Sequence, residues 1–218
     1  MILIKFFGKI YSYYISLTKR NIFKSKKGKE YLQMYAESEV KLLVFKTHAK
    51  LKGLRLINEY VDSKKKSDTV FILGSGESVN DLTKQDWNYI KEHNIIGLNY
   101  SFIHPVIPDY HFMEMIPLKE MQEFFCKITL EKYKDVDMFF QYNHVLKSEF
   151  DLTKYEHSNR MYVHVPHLYP TIYSDILELY FLDLKKKKKI NFSHLVHHNS
   201  HIGCAVMFAQ LLGYKKII

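Results

Sequence analysis

The apolar positions fall into short runs separated by amphipathic stretches. Thr69-Val-Phe-Ile-Leu73 is a run of β-formers that breaks into Gly74-Ser-Gly-Glu-Ser78. That change marks a buried strand passing into a tight loop. Asn94–Asn99, Pro108–Met115, Met138–Asn143 and Met161–Val165 read as further strands. Thr83-Lys-Gln-Asp86 has the pattern of a capping box and opens a helix with Trp87 and Ile90 on its buried face. Ile202–Leu212 is a helix of small and apolar residues closed by Gly213, and Lys215–Ile218 begins another strand. Strands alternating with helices predict an α/β fold, an open and mostly parallel Rossmann-like sheet with helices on both faces.

Ahead of this domain, Val44, Leu51, Leu54, Ile57 and Val61 recur every three or four residues or multiples of that spacing. The spacing predicts an amphipathic helix from Tyr31 to Val61. Residues 1–66 therefore read as a helical segment, Lys64–Asp68 as a charged stop, and residues 67–218 as the nucleotide-binding domain. The first seventeen residues are apolar but carry Lys5 and Lys9 and have no small-residue cleavage site. They fit neither a signal peptide nor a membrane span. Basic residues follow at Lys19, Arg20, Lys24, Lys26, Lys27 and Lys29. Two readings stand: a helix lying on a membrane surface, or an accessory helix packed on the domain.

With 218 residues the chain accommodates one α/β domain and an accessory segment. Its net charge of +9 suits solubility, an anionic membrane surface or an anionic nucleotide, and nucleic acid is the least favoured partner. Cys126 and Cys204 are far apart in sequence, so neither a disulfide framework nor a thiolate metal site follows, and a reducing, cytoplasmic compartment fits. His194, His197, His198 and His201 have a spacing suggestive of zinc, but no cysteine or suitably placed carboxylate joins them, and no metal is assigned. The run Lys185–Lys189 reads as the solvated end of a helix, with lipid-phosphate contact as the alternative. Phe139, Phe140 and Tyr142 read as core.

A parallel sheet binds ligands outside the carboxyl ends of its strands. The loop residues Gly74, Ser75, Gly76 and Ser78 should meet Asn99 there, together with Ser200 and His201 at the start of the later helix. Those last two suit both ligand contact and simple helix capping. Val79 stands where a dinucleotide fingerprint has its third glycine, and Asn99 where it has an acid, which disfavours a nicotinamide or flavin enzyme. The absence of a Gly-Lys-Ser/Thr loop excludes a P-loop ATPase.

Phe71–Val79, Ile95–Asn99, Pro108-Asp-Tyr110 and His201–Ile218, in that order, resemble the bacterial sialyltransferases of glycosyltransferase family 42 and related polysaccharide-biosynthesis proteins. The chain is also similar to the wider group of MptE-like pterin pyrophosphokinases. The resemblance covers residues 69–115 and 198–218. It implies that Gly74, Ser75, Gly76 and Ser78 lie against a CMP-sugar, that Asn99 binds this donor, and that Ser200 and His201 occupy the places of a donor-binding hydroxyl pair. No separate cofactor is implied. The acceptor would be a glycan or glycolipid of lipopolysaccharide or capsule, met at the inner face of the cytoplasmic membrane. His201 and Glu114 depart from the family pattern and suggest a different sugar. The family continues beyond the equivalent of Ile218 into a Gly-x-Asp turn, a tyrosine-bearing lid and a base histidine. The chain is thus expected to be a truncated form with weak or absent transfer, and no catalytic residue is assigned. Other readings are a non-catalytic membrane-surface protein that keeps the fold, and a pyrophosphokinase relative, although no acidic pair for Mg²⁺ stands beside the glycine loop.

Overall fold

A computed structural model describes residues 26–62, 64–115, 117–154, 158–165, 167–168, 190–192, 195–197 and 200–218. The apolar first residues, the Lys185–Lys189 run, His194 and His198 lie outside the described residues, as does the side chain of His197.

A long helix, α1 (Lys26–Leu51), leads into a two-residue strand, β1 (Arg55–Leu56). Then follow β2 (Thr69–Leu73), α2 (Lys84–Lys91), β3 (Asn94–Leu98), β4 (Tyr110–Met113), α3 (Lys119–Lys132), β5 (Asp137–Gln141), α4 (Tyr142–Ser148) and β6 (Met161–His164). The short pair β7 (His167–Leu168) and β8 (Val196–His197) forms a separate parallel ribbon, and α5 (His201–Leu211) and β9 (Lys216–Ile217) complete the described elements. The main sheet has seven strands in the order β1-β6-β5-β4-β3-β2-β9, and every neighbouring pair is parallel. This is the open α/β, Rossmann-like arrangement that the strand pattern predicts.

Alternation along the strands sorts the core into two faces. Val70, Ile96, Leu98, Tyr110, Phe112, Phe139 and Tyr162 pack against Cys204, Ala205 and Phe208 of α5. Met113, Met138, Phe140, Met161 and Val163 point the other way, into a cluster with Phe125 of α3, Val145 of α4 and Leu42 and Ala49 of α1. Phe71, Leu73 and Ile95 share that second face with Ile90 of α2. From β2 to β6 the chain steps along the sheet in one direction, then returns through α5 to place β9 on the free side of β2. The point where the winding reverses is therefore between β2 and β9.

The helix expected from Tyr31 to Val61 ends ten residues early, at Leu51. Gly53 takes φ +71°, Leu54 N donates to Ala49 O at 3.0 Å and Gly53 N to Lys50 O at 2.9 Å, which closes the helix as a Schellman motif. Leu56 continues the apolar pattern as a strand paired with Val163, so part of the segment before Lys64 belongs to the sheet. The α5 terminus repeats the same closure at Gly213, with φ +77° and Tyr214 N donating to Ala209 O at 3.1 Å. The capping box of α2 is present: Thr83 N donates to Asp86 Oδ2 at 2.8 Å and Asp86 N to Thr83 Oγ1 at 3.2 Å.

The charged stop is a clasp across the amino ends of the strands. Lys64 Nζ lies 3.0 Å from Asp137 Oδ2 and donates to the carbonyls of Asp109 and Asp135. Lys65 pairs with Asp68 at 3.2 Å and Lys66 with Asp109 at 2.7 Å. Asp68 also holds Lys215, beside β9. Cations and carboxylates thus pair off at the amino edge, opposite the edge where a parallel sheet binds ligands.

Candidate binding edge

Gly74 follows β2 directly. Its carbonyl accepts a hydrogen bond from His104 Nε2 at 2.9 Å, which fixes the start of the loop. Ser75, Gly76, Glu77 and Ser78 are exposed, and Gly76 caps a single tight turn over Glu77–Asp81 through its carbonyl, which accepts from Val79 N at 3.1 Å. Gly76 has φ −68°, a conformation any residue adopts. A Cβ built on Gly74 or Gly76 would find its nearest atom 4.0 or 3.9 Å away. Among the described residues, packing does not require glycine at either place. Gly97 is the contrast: its Cβ would come within 2.7 Å of both His111 Nδ1 and Ser101 Oγ, so glycine there is a packing requirement.

Asn99 ends β3 with φ +47°, in the left-handed region that asparagine tolerates best among residues with a side chain. Its Oδ1 accepts from Glu114 N at 2.9 Å. Its carbonyl oxygen is therefore engaged within the fold, tying the tip of β3 to the end of β4. Ser200 is the N-cap of α5, with Oγ accepting from Ile202 N at 3.0 Å, and it is exposed. The capping role is thus in place for Ser200. His201 is 2% exposed and turned into the molecule.

His201 and Glu114, the two departures from the family pattern, meet. His201 Nε2 lies 3.8 Å from Glu114 Oε1, and the Glu114 side chain keeps 25% of its surface exposed. The His201 ring is 5.5 Å from that of His164 and 6.0 Å from that of Phe112, centroid to centroid. Gln141 stands opposite His164 in the β5–β6 register. By strand alternation Glu114, Gln141 and His164 share the α5 side of the sheet with Phe112, Phe139 and Tyr162. Gln141 is 1% exposed and its Oε1 has no hydrogen-bond partner. Burial pushes the nearby Cys204 thiol well above its ordinary range, and the Glu114 charge adds to that shift.

The sequence reading named Gly74, Ser75, Gly76, Ser78, Asn99, Ser200 and His201, and all fall at the carboxyl edge or at the start of α5, which packs on β2 and β3. Gln141 and His164 were missed. Their signal is a polar residue closing an apolar strand at the parity of Glu114. On the opposite face His111 is fully buried, and desolvation takes its pKa down to about 4 against a weaker raising by the Asn99 backbone, so it is neutral near pH 7. Also on that face, a cavity of about 400 Å³ opens between α1 and α4, where His48 Nδ1 and Tyr142 OH are 2.6 Å apart. Among the described residues, no group of three His, Cys, Asp or Glu side chains could hold a metal ion, and no helix is long and apolar enough to cross a membrane.

Comparisons with family models, with curated proteins and with solved structures give no match to this chain.

Proposed function

We propose that the chain is a nucleotide-sugar-dependent, glycosyltransferase-like protein that holds its donor at the carboxyl edge between β2 and β9. The observation that carries this reading is the coincidence of two features. The winding of the sheet reverses between β2 and β9, where open α/β sheets bind nucleotides. The loop at that place carries two glycines whose Cβ positions are empty, so a phosphate could approach the backbone N–H groups of Ser75–Ser78 closely. The lack of a third glycine and of an acid at the end of β3 favours a mononucleotide carrier over a dinucleotide.

The donor's nucleotide is a CMP unit in this reading, on the strength of the family resemblance, and the acceptor is a hydroxyl of a surface glycan or glycolipid. Loop N–H groups would neutralise phosphate charge as the sugar–phosphate bond breaks, so that the leaving group departs without a metal. Asn99 contributes by position: its bond to Glu114 N fixes the spacing between the tips of β3 and β4, which form the floor beside the donor.

Thermal unfolding with CMP, UDP and GDP, each without divalent metal, tests the proposal. A nucleotide at about a hundred times its dissociation constant stabilises the native state by about 2.7 kcal/mol, which is a shift of several degrees. One nucleotide raising the midpoint supports the reading. No shift from any of the three overturns it, and a shift that needs ATP and Mg²⁺ favours a pyrophosphokinase.

A further inference from the structure

We infer that His104 is the positioning residue of the binding edge: its imidazole turns the Gly74–Ser75 peptide so that the Ser75 N–H, and not the Gly74 carbonyl, faces the phosphate of a bound nucleotide. This role rests on the nucleotide-sugar reading above and adds the residue that gives the loop its preference for an anion.

The loop Gly74–Ser78 contains no lysine or arginine and one acid, Glu77. Attraction for phosphate within it comes from backbone N–H dipoles, and each peptide adds to or subtracts from that attraction according to the way it is turned. A trans peptide has its C=O and N–H on opposite sides, and among the described residues no peptide is cis. Fixing one end of the group therefore fixes the other. At the Gly74–Ser75 peptide the fixed end is the carbonyl, which accepts from His104 Nε2 at 2.9 Å. A carbonyl oxygen only accepts, so Nε2 carries the hydrogen. The Ser75 N–H is thereby directed away from His104. Ser75 is exposed, and its N–H has no acceptor among the described residues.

The imidazole is itself held. His104 is buried and closes the short turn Asn99–Ile103 that follows β3, where its own N–H donates to Ser101 O at 3.1 Å. Its ring lies 6.0 Å from that of Trp87 in α2, centroid to centroid, and Trp87 packs on the cluster of Phe71, Leu73 and Ile90. The Gly74 carbonyl is thus tied to a packed part of the fold while the Ser75 N–H is turned from it. Gly74 has no positive φ, and a Cβ there would meet its nearest atom at 4.0 Å. What glycine adds at this place is rotational freedom, so the direction of the peptide is set by His104 rather than by the backbone. Loss of the imidazole bond frees the peptide to present its carbonyl to the ligand, and a carbonyl repels phosphate.

The test compares the native chain with His104→Gln, which offers an amide N–H in place of Nε2–H, and with His104→Leu, which fills the space beside Trp87 without a donor. Each is titrated calorimetrically with CMP, UDP and GDP in the absence of divalent metal. For the nucleotide that binds the native chain, His104→Leu is expected to lose about tenfold or more in affinity, and His104→Gln to stay within about threefold of the native value. In nuclear magnetic resonance spectra of the native chain, that nucleotide should move the Ser75 amide proton downfield, and His104→Leu should abolish the movement. A purely structural role for His104 predicts a lower ligand-free melting point in His104→Leu with affinity and the Ser75 signal unchanged; that result overturns the inference and leaves the nucleotide site standing. So does a His104→Gln as weak as His104→Leu. Should His104→Leu not fold, the native chain decides alone: a Ser75 amide that stays in place while the nucleotide binds overturns the inference. Failure of all three nucleotides to bind the native chain overturns the underlying reading instead.

Discussion

Lys64 and Asp137 join the segment before β2 to the amino end of β5, with Nζ 3.0 Å from Oδ2 and the side chains 18% and 9% exposed. Arg160 approaches the other carboxylate oxygen at 3.1 Å, and the Tyr60 hydroxyl donates to Asp137 Oδ2 at 3.1 Å. Burial raises the Tyr60 pKa, and the charges of Asp137 and Asp62 raise it further, so the phenol stays a donor throughout the neutral range. Asp137→Asn keeps the volume but leaves two cations facing a neutral amide. It should lower stability by about 2 kcal/mol, below the full cost of breaking a buried pair because Arg160 is partly solvated. Urea unfolding of Asp137→Asn, Lys64→Met and the double variant checks this. The double variant should lose less than the sum of the two single changes.

Asn99 combines a left-handed backbone with a side-chain bond to Glu114 N. Asn99→Ala loses the bond and adds backbone strain, for a cost of about 2 kcal/mol. Asn99→Gly loses the bond but accepts φ +47° freely, for a cost of about 1 kcal/mol. Equal chemical-denaturation midpoints for the two would refute a strain contribution at this position. Glu149, with φ +54° at the end of α4, offers the complementary case: Glu149→Gly should raise stability by about 0.5–1 kcal/mol.

His111 gives the fold a pH dependence. Its native pKa is depressed to about 4 from an ordinary 6.5 because it is wholly buried. Between those values the unfolded chain binds a proton that the native chain does not, so stability rises with pH across this window. Acidification from pH 7 towards 4 should therefore cost up to about 3 kcal/mol from this residue alone. Stability curves of the native chain and His111→Gln between pH 4 and 7 provide the measurement, and the variant should show the shallower slope.

Gly76→Ala separates folding from ligand binding. The residue already has φ −68°, and its Cβ would stand 3.9 Å from the nearest atom. The ligand-free variant should be about 0.5 kcal/mol more stable than the native chain, through a less flexible unfolded state. Nucleotide-induced stabilisation should fall by more than half, because the added methyl group fills the approach to the loop N–H groups. A variant that keeps the full nucleotide shift would place the phosphate elsewhere.

The parallel α/β sheet was legible because short apolar runs such as Thr69–Leu73 and Asn94–Leu98 alternate with helical stretches. The capping box at Thr83 and the closure at Gly213 were legible because both are local. The end of α1 was not: Leu54, Ile57 and Val61 extend a helical spacing, and only pairing with β6, a hundred residues on, makes Arg55–Leu56 a strand. Lys64–Asp68 read only as a charged stop because a sequence does not name distant partners, and Asp109, Asp137 and Gly213 are all remote in the chain. Of the candidate site, the loop and Asn99 could be placed from their strands. The meeting of Glu114 with His201 could not, since it depends on how far α5 slides across the sheet before its Ser200 cap.

The sequential order of β2 to β6 has a consequence for how the chain folds. Each of these strands adds beside the one made before it, so their assembly needs only modest loop closures. Docking of α5 and β9 instead brings Lys216 opposite Thr69, a closure over most of the domain. Until that late event, Phe112, Phe139 and Tyr162 present an uncovered aromatic face, the stage most exposed to aggregation. The same event carries His201 to Glu114, so their meeting at the carboxyl edge depends on the longest loop closure among the sheet's strand pairs.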